Sequence, residues 1–414
     1  MRRTLLTPVL AAAMFFALAC TDYPGPRPPL DALQWPVGVA VHPDGGVIYV
    51  VSTNFDQRYR NDSGGTVIAL DAETLRPIPD SGVYIGSFGA EIAFAPREDG
   101  TGRLFVAVRG DDSVVQLDVS ADGREIFCPE GGAFGTLGGQ EGLACRVQEL
   151  GQDPFAVALV DAPPVWSVDE TGAPLEQTQG WPDGLLMVGS LGNRISVLST
   201  QDANASSAEE ALVSQLNGGV NSLTYFPPTG QLITTGRFTS NVRLVDWFLD
   251  ASGAPAEVVV TRVASLPTTL DRSEMRDAVL SNDSRTLWVT ATRPDTVFLL
   301  DMRIDDTGEP RMQPDPVLPK FDLDGGPADV VLVQEGSREM LYVALADAGE
   351  LVAVDGRTGR VDARIPIGAQ ANGLAYDAER QALYVSAFAD DLVARVDLAP
   401  GSPTFRQVVA RSAP

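Results

Sequence analysis

One motif recurs seven times along this chain, and no other feature restricts its fold as strongly. Each copy opens with an alternating strand and turns through residues rich in Pro, Asp, Gly or Ser into a second, apolar strand. After a polar loop, a third strand closes the copy, usually on Asp. The last copy runs through 371–376, 383–386 and 392–397, and the one before it through 328–333, 341–344 and 351–355. The first occupies 37–45, 48–51 and 66–71. Four looser copies between them close at Asp118, Ser199, Asp246 and Asp301. The interval from Asp118 to Ser199 is the longest, because it holds a Gly-rich loop between two cysteines and a second insertion over 161–180.

A weaker fourth strand falls between copies, most plainly at 257–263 and 361–367, and 404–410 can supply the last one. A four-stranded sheet cannot bury either face alone, but radial stacking buries both. The expected fold is therefore all-β: a seven-bladed β-propeller with four antiparallel strands per blade. A barrel or sandwich is the runner-up, and neither predicts sevenfold recurrence of one motif. The 414 residues would allow two or three average domains. The repeats reduce that to one body over residues 35–414.

The segment ahead of the body is an address. Arg2 and Arg3 are followed by an apolar run over 5–18, broken only by Thr7 and Pro8, and then by Ala19-Cys20. The run is too short to span a bilayer comfortably and reads as a signal peptide over 1–19. Its end resembles a bacterial lipoprotein signal, with Ala17 where Leu is usual, which implies lipidation of Cys20. Residues 20–34 carry Pro24, Pro26, Pro28 and Pro29 and form an extended tether. Thr21 is not the Asp that retains some lipoproteins in the inner membrane, so an outer-membrane destination in the cell envelope is favoured, facing the periplasm or the cell surface. The membrane is then met only through the lipid.

Composition excludes several function classes. Lys plus Arg number 30 against 55 Asp plus Glu, a net charge of -25, which rules against nucleic acid. His42 and Lys320 are the only residues of their kinds, which removes most His-base and Lys Schiff-base catalysis. No nucleophile elbow, Walker loop or zinc motif is present, so no catalytic residue, metal ligand or cofactor is assigned. Cys128 and Cys145 lack the CxxC spacing of a metal site. In an exported protein they most simply form a disulfide, two free thiols being the alternative.

The repeat resembles the YVTN family of bacterial β-propellers. Tyr49-Val50-Val51-Ser52-Thr53-Asn54, Tyr342-Val343-Ala344 and Tyr384-Val385-Ser386 match its Tyr-Val-Thr-Asn element. Trp35-Pro36-Val37-Gly38-Val39-Ala40 and the following His42-Pro43-Asp44-Gly45 match its Gly-Val-Ala strand and Pro-Asp-Gly turn, and Asn372-Gly373-Leu374-Ala375 matches the strand again. The likeness covers about residues 35–412 and is loose in the third and fourth copies. The simplest role for each Tyr is core, and for each closing Asp a turn cap.

Propellers tend to bind ligands at the end of the central channel that carries the loops between second and third strands. Arg109, Arg237 and Arg293 fall in three such loops, and Arg272 and Arg276 on a segment expected between blades. Together they form a candidate cationic funnel for a carboxylate or phosphate. The competing expectation is that they pair with Asp111, Asp112 or Asp295. The acidic stretch over 322–329 lacks the full spacing of a calcium loop. The expected function is a lipid-anchored, non-catalytic scaffold whose partner is an envelope protein, peptide or glycan. The alternative is a propeller enzyme of lactonase or quinoprotein dehydrogenase type. For that reading Asn221, Asp153, Asp329 and Asn372 are the candidates at the funnel.

Overall fold

The computed structural model describes residues 28–53, 55, 64–127, 147–150, 152–160, 165–168, 174–178, 184–200, 209–212, 218–249, 255–268 and 273–413. The signal segment with Cys20, both Cys128 and Cys145, and Arg272 lie outside them.

Seven antiparallel sheets follow one another along the described chain, each with four strands in sequence order as its frame. The first strands of the blades are Pro36–Val41, Gly89–Pro96, Pro154–Val160, Ser222–Phe226, Glu274–Leu280, Pro327–Glu335 and Ala371–Asp377. Each touches the first strand of the next blade, and the seventh touches the first, so they form a ring around an axis. The fold is a seven-bladed β-propeller.

The core lies between blades rather than at one centre. Second strands such as Val47–Ser52 and Leu185–Ser190 are buried along their whole length. Their side chains form seven apolar clusters, one for each contact between neighbouring blades. This is why strands near the axis need no polar face.

The aromatic residue of the Tyr-Val element ties blades together. Tyr49, Tyr342 and Tyr384 are fully buried. The Tyr49 hydroxyl donates to Gly123 O in blade 2 at 2.9 Å, and Tyr384 donates to Ala72 O across the seam between blades 7 and 1 at 3.0 Å. Trp288 does the same from blade 5, its indole N–H meeting Gly356 O at 3.0 Å. Ala72 and Gly356 directly follow the closing Asp of the next blade's third strand, and Gly123 lies in the turn after it. Those aspartates cap turns: Asp71 accepts from Thr74 N and Oγ1, and Asp355 from Thr358 N and Oγ1.

The ring closes without exchange of a strand. Blade 7 takes its outer strand from its own C-terminal segment, Gln407–Arg411. The seam is held by Ser386 Oγ donating to Val37 O at 2.9 Å, by Trp35 N donating to Asp391 Oδ1 at 2.7 Å, and by an apolar cluster drawn from both blades. Gly373 is required here, since a Cβ at that position would stand 1.9 Å from Val37 O.

Two elements depart from the repeat-based expectation. The insertion over 161–180 contains the strands Val165–Val168 and Pro174–Thr178, which pair with each other, and Ser167 pairs with Leu249 on the third strand of blade 4. The insertion thus widens the next blade instead of its own. In blades 1, 2, 5, 6 and 7 the inner strand also carries a β-bulge, with two residues opposite one.

Candidate functional site

The bulges decide what faces the axis. Their second residues are Gly38, Glu91, Asp277, Asp329 and Gly373, so three blades present a carboxylate where two present glycine. All five line one axial cavity of about 360 Å³.

Each carboxylate is also a clasp to the next blade. Val157 N donates to Glu91 Oε2 at 3.0 Å, Val330 N to Asp277 Oδ2 at 3.3 Å, and Leu374 N to Asp329 Oδ2 at 2.8 Å. Ser222 Oγ donates to Asp277 Oδ1 at 2.8 Å from the blade before. Asn221 adds a further tie between blades 4 and 5 by donating from Nδ2 to Met275 O and Arg276 O, at 2.8 and 2.9 Å.

Loss of water shifts these acids. The Glu91 carboxyl is pushed up to about 8, first by burial and then by the charge of Asp277, against the Val157 amide and Arg276. Burial also raises Asp329 well above the ordinary carboxylate range, with further push from Asp277 and Glu91. Burial thus favours the protonated form of both acids. No group of three or more His, Cys, Asp or Glu with the geometry to hold a metal occurs among the described residues.

The mouth of the cavity has two unlike walls. One is aromatic: Phe55, Phe88, Phe155 and Phe388 line it, and Trp35 stands behind, its ring 6.1 Å from Phe55 and 5.0 Å from Phe388. Arg109 belongs to this wall. Its guanidinium is gripped bidentately by Asp153, at 2.6 and 3.1 Å, and stacks over Phe88 at 4.5 Å and Phe155 at 5.1 Å. The other wall is cationic. Arg237 and Arg276 line the cavity, and both are held by Glu274, at 3.4 and 3.2 Å. Arg293 lies 4.0 Å from the same carboxylate. Three guanidiniums thus share one carboxylate, and Glu274 is not among the cavity-lining residues.

The placement refines the funnel expected from sequence. Arg109, Arg237 and Arg276 reach the cavity. Arg276 does so from the bulge of the blade 5 inner strand, not from a segment between blades. Arg293 stays on the rim with its side chain 77% exposed. The pairing partners are Asp153 and Glu274 in place of Asp111, Asp112 and Asp295, whose carboxylates instead accept backbone N–H groups of Ser87, Asp153 and Gly325. Asn221, Asp329 and Asn372 line the cavity, while Asp153 serves Arg109. The acidic stretch over 322–329 is no single loop: Asp322 ends an outer strand of blade 5 and Asp329 sits at the axis in blade 6. His42 is buried between blades 1 and 2, edge-on to Tyr49 and Phe94, with burial lowering its pKa.

Glu91, Asp277 and Glu274 were missed by sequence reasoning. A signal existed for the first two. When the copies are aligned on Gly38-Val39-Ala40, the glycine is replaced by acid in Glu91-Ile92-Ala93, Asp277-Ala278-Val279 and Asp329-Val330-Val331. No signal existed for Glu274, because its role depends on three arginines from different strands and loops meeting it.

Solved structures with the same fold include the hydrazine synthase of Kuenenia stuttgartiensis, with a TM-score of 0.55, 17% identity, and coverage of 92% of this chain and 99% of that one. A second is the virginiamycin B lyase of Staphylococcus aureus, with a TM-score of 0.51, 11% identity, and coverage of 87% and 95%. A third is the Cps50 (Swd1) β-propeller domain of Myceliophteria thermophila, with a TM-score of 0.52, 11% identity, and coverage of 87% and 96%. No protein-family model and no curated protein sequence matches the chain. At these identities the likeness extends to the propeller fold alone.

Proposed function

We propose that the protein is a non-catalytic binding propeller, tethered to the bacterial envelope through a lipid on Cys20, that takes an anionic group of its partner into the axial cavity. The arrangement of Arg237, Arg276 and Arg293 around the single carboxylate of Glu274 carries this reading. All three guanidiniums share Glu274, with the charge of Asp329 also acting on Arg276, and the two that face the cavity are poised for the planar, two-pronged recognition of a carboxylate or phosphate. The buried acids support a binding role as well. Burial favours the protonated form of Glu91 and Asp329, which lessens the negative charge of the wall, and their oxygens are engaged in holding blades together. The partner is an envelope protein, peptide or glycan that exposes such a group.

Two measurements test the two halves. Thermal unfolding at constant ionic strength, with acetate or phosphate replacing chloride, is expected to show a rise in Tm for the native protein and none for an Arg237→Gln/Arg276→Gln variant. Equal responses would remove the cavity from the account. Palmitate labelling and detergent partition are expected to be lost with Cys20→Ser, and retention of both would remove the lipid anchor.

A further inference from the structure

We propose that the axial cavity selects a carboxylate joined to an aromatic ring, with Arg237 and Arg276 reading the acid and the phenylalanine wall reading the ring. This rests on the axial cavity being the binding site. The chemistry of the two walls is complementary to such a ligand and to neither half alone. Four phenylalanines face the same space as the two guanidiniums. Phe55 meets Phe88 and Phe388 edge-on, with centroids 5.9 and 5.8 Å apart, which is the geometry a further aromatic ring extends. Arg109 is unavailable to an anion, because Asp153 occupies its fork and Phe88 and Phe155 cover its guanidinium. Its charge is spent on fixing the aromatic platform, which makes it a positioning residue.

The backbone gives a second, independent observation. The residue just before the inner strand adopts left-handed geometry in several blades. Blade 6 uses Gly326 there, at φ 72°, and glycine fits without cost. Blades 1, 2, 3 and 7 place Trp35, Phe88, Asp153 and Gln370 at the same point, at φ 55°, 61°, 59° and 55°. A bulky side chain in that region is strained, and such strain persists where the side chain itself is needed. Of these four, Phe88 lines the aromatic wall, Trp35 stands behind it and Asp153 grips Arg109.

Isothermal titration of the purified protein with phenylacetate, acetate, phenylacetamide and cyclohexylacetate tests the assignment. Phenylacetate is expected to bind at least tenfold more tightly than each of the other three. A peptide ending in a free C-terminal Phe, set against its C-terminal amide, distinguishes a chain end from a free small acid as the source. Phe388→Leu is expected to weaken phenylacetate about tenfold while leaving the weak acetate affinity unchanged. Phe155→Leu is the parallel variant should the first fail to fold. Acetate equal to phenylacetate would overturn the aromatic assignment while leaving the anion site standing. Cyclohexylacetate equal to phenylacetate would also overturn it, since the wall would then read bulk alone. Phenylacetamide equal to phenylacetate would overturn the reading of the acid. Failure of every compound to bind would overturn the cavity as the site altogether.

Discussion

The Leu374 amide donates to Asp329 Oδ2 at 2.8 Å, so a side chain that lines the binding cavity also fastens blade 7 to blade 6. The same double duty falls to Glu91 toward blade 3 and to Asp277 toward blade 6. Site and scaffold are thus one set of residues at the axis, and their substitution is expected to register in stability before it registers in binding.

Asp329→Ala strips the acceptor from Leu374 N, while Val330 N keeps Asp277 Oδ2. Leaving one buried amide unpaired costs about 1–3 kcal/mol. Asp329→Asn keeps a carbonyl oxygen and is expected to lose less than half as much. Denaturant midpoints at fixed pH compare the two.

Stability is expected to fall as pH rises from about 4.5 to 8 through the contribution of Glu91. Its folded-state pKa is raised to about 8 from the ordinary 4.5 of a glutamate, so over this window the native state holds a proton that the unfolded chain has released. Fewer protons on the unfolded state mean a negative slope of unfolding free energy with pH. The groups facing Glu91 are Asp277, Asp329 and Arg276. Glu91→Gln is expected to flatten the slope in this interval, as read by chemical denaturation at pH 5, 6, 7 and 8.

Gly373→Ala is expected to destabilise by about 3 kcal/mol, because the added methyl group overlaps Val37 O across the seam. Gly46→Ala, where no atom lies within 4 Å of the built Cβ, is the control and is expected to be near neutral. Thermal unfolding of the pair separates crowding at the seam from a general glycine effect.

Tyr384→Phe removes the hydroxyl that bonds Ala72 O between blades 7 and 1, and Tyr49→Phe removes its counterpart between blades 1 and 2. Each is expected to cost about 1 kcal/mol. Because the ring closes with the same tie as the interface between blades 1 and 2, the two losses are expected to be equal within error. A much larger loss at Tyr384 would identify the seam as the weak point.

The repeats made the fold legible. Closing aspartates cap turns and the Tyr-Val tyrosines fill inter-blade cores, so local chemistry and global architecture coincide at Asp71, Asp355, Tyr49 and Tyr384. The arginines of the mouth were legible as loop residues, and Arg109 and Arg237 reach the cavity. What was not legible depends on register. A bulge shifts one residue against the partner strand, and nothing local in 274–278 announces that Arg276 and Asp277 both turn inward. The insertion over 161–180 was visible as an interruption, but its pairing to Leu249 is a contact between distant segments that its own residues do not encode.

The cavity account is tested most directly by diffraction from crystals soaked in 4-iodobenzoate, recorded where iodine scatters anomalously. The account predicts an iodine peak against the wall formed by Phe88, Phe155 and Phe388, with the carboxylate density directed at Arg237 and Arg276. An axial cavity without an iodine peak, in crystals whose surface sites are occupied, would contradict it.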